Sequence, residues 1–175
     1  MNTDFISDYV AYFEKLSKEH KEVQHSEEAR HFFAMDINEV LGAMADSSIQ
    51  YPAVILNALS ARMAGSSLDN VNEQTNGGFM IIDHCPVVDD YLGMVQALSR
   101  SYRIGMEFLQ RIHYDIMKCE PLALKALPDW NIFQVTSKMW GPVFDNDYGW
   151  HYEFPVVRPL DTTFNPENWI VNPGE

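Results

Sequence analysis

Basic residues are scarce in this chain: 12 Lys and Arg stand against 25 Asp and Glu in 175 residues, a formal charge of -13. Holding nucleic acid means neutralising several phosphates, usually with a basic stripe, and the sequence has no such cluster. Tight or specific DNA binding is therefore disfavoured, and so is adhesion to an anionic membrane surface. An acidic wall past which DNA slides is still compatible. Cysteine is scarcer: Cys85 and Cys119 make no disulfide framework, which fits a reduced, intracellular setting. Long apolar runs are also missing. No window of about 18 apolar residues occurs, and MNTDFISDYVAYFEK lacks a basic stretch followed by an apolar one. Both absences point to a soluble, unsecreted protein. A Gly-rich phosphate loop, a nucleophile elbow and a Cys-x-x-Cys pair are absent too, so no motif argues for catalysis.

What the chain does have is core material. At 46% hydrophobic it can bury one core, so a single domain over residues 1–175 is expected. Phe5, Tyr9, Tyr12, Phe13 and Leu16 recur at helical spacing and predict an N-terminal helix within residues 1–22. Residues 21–31 are polar and read as a connection. Asp36 and Glu39 form a capping-box pattern for a short second helix. The apolar run from Ala53 to Met63 reads as a strand, paired across a polar, turn-rich loop over residues 65–78 with a second strand at GFMIID. Helical periodicity over residues 88–118 predicts the longest helix, where Gly93 and Gly105 would permit close approach of a neighbour. The segment PLALKALPDW reads as a connection. Alternation in NIFQVTSKMW and again in WHYEFPV predicts a second hairpin, and residues 158–175, with three prolines, read as an extended arm. The expected fold is α+β: a long central helix and N-terminal helices on an antiparallel sheet made of two β-hairpins.

Three clusters carry potential chemistry. DNDYG offers Asp145, Asp147 and Gly149, the start of a calcium-loop pattern, but glycine comes one residue early and Val156 stands where the loop needs a glutamate. Asn, Asp and Gly are also what a tight turn requires. His20, His25 and His31 lack the spacing that preorganises a zinc site. Asp83, His84 and Cys85 bring together a carboxylate, an imidazole and a thiol. Neighbours on a strand face opposite ways, so a base for Cys85 would have to come from elsewhere, such as His113. No catalytic residue, metal site or cofactor is assigned.

The element order, with YPAVIL, GGFMIID, RIHYDIM and above all GPVFDNDYGWHYEF, resembles the tail-completion or tail-terminator proteins of tailed bacteriophages over roughly residues 35–157. The resemblance implies a non-enzymatic virion protein, made in the host bacterial cytoplasm, that forms a homo-oligomeric ring, a hexamer or larger. The ring would sit at the tail terminus or head-tail junction, against tail tube, neck or connector and portal-associated proteins, with DNA passing through unbound. Contact candidates are then Trp140, Asp145, Asn146, Asp147, Tyr148 and Trp150 around a protruding DNDYG tip, and Asp69, Asn70 and Asn72 in the loop over residues 65–78. A cytoplasmic enzyme using Cys85 and a histidine, and a small-ligand-binding regulatory module, are the alternatives.

Overall fold

The computed structural model describes residues 5–34, 49–67, 70–143, 146–160, 162–163 and 166–169. Three helices and a six-stranded sheet follow one another as α1 (Phe5–Glu19), β1 (Arg30–Ala34), β2 (Ile49–Leu56), β3 (Ser60–Ser67), β4 (Asn70–His84), α2 (Tyr91–Met117), α3 (Pro121–Ala126), β5 (Thr136–Val143) and β6 (Asp147–Pro159). The sheet runs β1-β2-β4-β6-β5, and β3 pairs with β4 beside β2. All pairings are antiparallel except β1 with β2.

The core forms where the apolar stripes of the helices meet one face of the sheet. Tyr9, Tyr12, Phe13 and Leu16 from α1 and Ile104, Phe108 and Ile112 from α2 pack on Val54, Leu56, Phe79, Ile81, Tyr152 and Phe154. Phe79 is the hub: its ring lies 5.4 Å from Phe13, 5.7 Å from Phe108 and 5.0 Å from Tyr152. The opposite face has a smaller buried cluster of Phe33, Ala53, Ile55 and Ile82.

β4 is long because it belongs to two structures at once. Its residues 79–82 pair with β2 in the core sheet, whereas residues 70–76 pair with β3, and β6 flanks both parts. At the changeover Tyr9 joins the sheet: its hydroxyl accepts from Gly78 N at 2.9 Å and donates to Gly78 O at 3.1 Å, the carbonyl that also accepts from Asn57 N at 3.0 Å. Beyond this point β3 forms the outer strand of an arm. Every residue from Ala61 to Gly65 is exposed, on both faces of the strand.

Several expectations change. Residues 65–78 are not a long loop: they belong to β3 and β4, paired from Ser60 opposite Asn76 to Ser67 opposite Asn70. The strand expected from Ala53 to Met63 is two strands, broken at residues 57–59. Part of the connection over residues 21–31 is β1, and PLALKALPDW contains α3, with Pro121 opening the helix and Glu120 capping it through Ala123 N. β5 begins at Thr136, because Asn131 caps a 3-10 turn at Ile132–Gln134 and leaves Phe133 93% exposed. The long helix starts at Tyr91, after Asp90. β6 extends to Pro159, two residues into the segment expected to be an extended arm. The second helix expected at residues 36–48 lies outside the described residues.

Candidate functional site

The turn DNDYG is pinned to the body. Asp145 lies outside the described residues. Asn146 has a φ of 70°, a left-handed conformation that asparagine tolerates. Its side-chain amide donates to the carbonyls of Cys85 and Val87, and its carbonyl accepts from Cys85 N at 3.2 Å. Tyr148 donates to Asn146 Oδ1 at 3.0 Å. Asn146 and Tyr148 share a cleft of about 470 Å³ with Val88, Tyr91, Met94 and Pro142. The long helix therefore opens with exposed apolar residues, Tyr91 and Leu92, preceded by exposed Val88, in the neighbourhood of the turn.

Asp147 does not protrude. It is 0% exposed and accepts from Tyr51 Oη at 2.7 Å and from His84 Nδ1 at 2.7 Å. A carboxylate held on Nδ1 fixes an imidazole's orientation and leaves Nε2 outward, and the His84 side chain is 38% exposed. The His84 ring also stacks on Tyr51 at 5.3 Å. This three-residue cluster joins β2, β4 and β6. Asp147→Asn keeps the size but turns an acceptor toward a donor. It should cost about 1–3 kcal/mol, the range for a disrupted buried charged hydrogen bond, read as a lower urea midpoint with an unchanged slope. A midpoint equal to the parent's would show that the carboxylate contributes nothing to the fold.

The cysteine cluster comes apart. Cys85 is buried, and its thiol points at the carbonyls of Val87 and Asp90. His113 lies near the other end of α2, on the order of 33 Å along the axis at 1.5 Å per residue, against Trp130. It cannot serve Cys85. Asp83 is spent on Arg100, 3.2 Å away. Burial raises its carboxyl pKa, and Arg100 opposes the shift.

The N-terminal histidines do not converge on one point. His20 pairs with Glu107 at 2.8 Å, His25 Nδ1 accepts from His31 N, and His31 Nδ1 sits 2.9 Å from Pro52 O. Among the described residues no group of three or more His, Cys, Asp or Glu is placed to hold a metal ion.

On the non-helical face, the Asn57 amide meets His151 Nε2, and Trp140 stands edge-on to the His151 ring at 5.6 Å. His151 Nδ1 is buried with no hydrogen-bond partner among the described residues. Burial pulls this imidazole's pKa below its usual value, against the pull of Glu153 and with help from Lys138. With a folded pKa below the unfolded one, the unfolded chain binds more protons in the window between them. Stability should rise with pH up to about 6.5 and fall as pH drops through the folded pKa. His151→Gln should flatten that part of the profile in urea titrations between pH 5 and 7; an unchanged slope would show that His151 charges freely.

Trp150 packs on Tyr102 at 4.9 Å from the helical side. Asn70 and Asn72 lie in β4, opposite Ser67 and Ala64, inside the arm rather than on a loop. Asp69 lies outside the described residues. The contact candidates thus fall on two separate places, the pinned turn beside α2 and the β3–β4 arm. Sequence reading missed the Tyr51–His84–Asp147 cluster, whose members are 63 and 96 residues apart.

The architecture defines an α+β protein with helices packed on a mostly antiparallel sheet, and among the described residues no helix is long and apolar enough to cross a membrane. No family model matches the chain, and neither a curated protein nor a solved structure does.

Proposed function

We propose that this chain is a non-enzymatic structural subunit that closes into a ring of six or more copies at the tail terminus or head-tail junction of a tailed phage or phage-derived particle. The observation that carries this reading is the β3–β4 arm, whose outer strand is exposed on both faces from Ala61 to Gly65 and, among the described residues, pairs with β4 alone. A strand that buries nothing in its own subunit gains little from folding there, whereas a free edge is a template for another chain. The exposed apolar start of α2 beside Tyr148 gives a second surface for tail-tube, neck or connector proteins. The formal charge of -13 suits a channel through which DNA passes without sticking.

Light scattering across a concentration series, with negative-stain images of any large species, tests the proposal. Rings with a central hole are expected. A strict monomer at every concentration would sink the ring.

One observation favours a second reading. The buried Asp147 holding His84 with Nε2 outward is an arrangement fit for general acid–base work. Hydrolysis of an activated ester above the buffer rate, lost in His84→Gln, would support an enzyme. Equal rates for both proteins would remove this reading.

A further inference from the structure

On the face of the sheet away from the helices, a cleft of about 390 Å³ opens where β2 ends, β3 begins and the 3-10 turn leads into β5. Its wall includes four side-chain amides, Asn57, Gln74, Asn76 and Gln134, together with the Thr136 hydroxyl and the Glu153 carboxylate. We propose that this cleft binds a neutral saccharide, whose hydroxyls pair with the amides and Glu153 while a face of the sugar ring rests on Phe133.

Strand register puts these groups on one surface. Glu153 stands opposite Gly78 on β4 and Thr136 on β5. Gln74 and Asn76 precede Gly78 by even steps, so their side chains project on the same side of the sheet. Asn57 N donates to Gly78 O at 3.0 Å, which sets Asn57 beside that glycine. A Cβ at Gly78 would fall 2.9 Å from Asn57 Nδ2, so the missing side chain gives the amide its room. Asparagine is depleted in strands, yet β4 carries Asn72, Gln74 and Asn76 at alternate positions facing this way.

Two of the amides are held in advance of any ligand. One end of the Asn57 amide meets Nε2 of His151, a residue 7% exposed. Gln74 Oε1 accepts from Arg62 Nε at 3.1 Å and from Nη2 at 2.8 Å, which leaves the Gln74 NH2 to donate. Asn76 and Gln134 are exposed and open to a ligand. An amide carries donors and an acceptor at one tip, and a sugar hydroxyl is likewise both donor and acceptor, so the two satisfy each other. Groups fixed before binding lose less entropy on binding.

The remaining surroundings select against other ligands. A phosphate needs cations, and the described lining has none; the neighbouring Arg62 and Lys138 serve Gln74 and Glu153. A peptide needs apolar recesses for its side chains, whereas only Ala58, Phe154 and Pro155 of the described lining are apolar, and Phe154 is 2% exposed. What a sugar ring does need is one flat apolar platform for its C–H face. Phe133, next in sequence to Gln134, is 93% exposed and is fixed by its own N–H donating to Asn131 Oδ1 at 2.9 Å.

Saturation-transfer NMR on the full chain tests the site, with glucose, galactose, rhamnose, N-acetylglucosamine and maltose as probes and AMP and trialanine as controls. At least one sugar should take up saturation, and the controls should not. Asn76→Ala and Gln134→Ala should each weaken that sugar about tenfold, the loss expected when a hydrogen-bonding group of the ligand is left unpaired. Phe133→Ala should weaken it as well. All three side chains are exposed, so the variants should melt with the parent, and lost binding then reports the cleft rather than the fold. No saturation in any of the sugars, or binding that survives Asn76→Ala and Gln134→Ala combined, overturns the site. A stronger signal from AMP or trialanine overturns the saccharide as its ligand. Each of these outcomes is independent of whether the chain closes into a ring.

Discussion

Phe79→Ala should remove about 3–5 kcal/mol of stability, the range for truncating a buried phenylalanine. Phe79 is 0% exposed at the centre of the β4 strand, with the rings of Phe13, Phe108, Tyr152 and Phe154 around it. Those four rings come from α1, α2 and β6, so the cavity would open where three elements meet. Stacked rings cannot collapse into it without giving up their own contacts. Against the 5–15 kcal/mol typical of a domain, roughly a fifth or more of the total would go. Chemical denaturation would show a lower midpoint at constant slope, and Phe79→Leu should lose much less. A loss below about 1 kcal/mol for the alanine variant would mean that the site repacks.

Gly105→Ala sets two effects against each other. In an exposed helix the change stabilises by about 1 kcal/mol, because glycine pays more backbone entropy. At position 105 a Cβ would fall 2.2, 2.3 and 2.4 Å from Cε2, Cζ and Oη of Tyr152. That ring is held by stacking on Phe79 at 5.0 Å and by its hydroxyl donating to Tyr102 O at 3.1 Å. It has no easy way to retreat, so α2 must move off the sheet. Overpacking of this kind costs about 1–3 kcal/mol or more and outweighs the gain in propensity. The same substitution in a Tyr152→Val background should be neutral or stabilising, because the obstacle is gone. A double-mutant cycle measured by thermal melting would expose this reversal, and an equal effect in both backgrounds would rule out the clash.

Local rules recovered the parts of the fold whose residues bury one face. The α1 stripe, the long α2 and the alternation of Trp150, Tyr152, Phe154 and Val156 in β6 were legible because burial imposes a period on sequence. The glycines at 93 and 105 marked places where a neighbour could come close, and at Gly105 the ring of Tyr152 does. The β3–β4 arm was not. With both faces of β3 exposed, nothing forces apolar and polar residues to alternate, and its serines, glycines and asparagines read as loop. α3 was hidden by its length of six residues, although Glu120 followed by Pro121 is a helix-start signal. The turn at DNDYG was readable from its composition, but the inward direction of Asp147 was not. Its partners on β2 and β4 become neighbours only when the sheet forms.

The place of α1 in the chain has a consequence for synthesis. Tyr9, Tyr12 and Lys15 hydrogen-bond to Gly78, Asp115 and Glu120, which lie 69, 103 and 105 residues downstream. Leaving the ribosome at about 5–20 residues per second, α1 waits roughly 5–20 s for the last of these partners. Until then its stripe of Tyr9, Tyr12, Phe13 and Leu16 has nothing to cover it, and an isolated 15-residue helix is marginal in water. Contacts this distant make for a slow folder. During that interval the nascent chain displays an aromatic segment of the kind that chaperones bind, and the cell's capacity to shield it sets how much protein reaches the folded state.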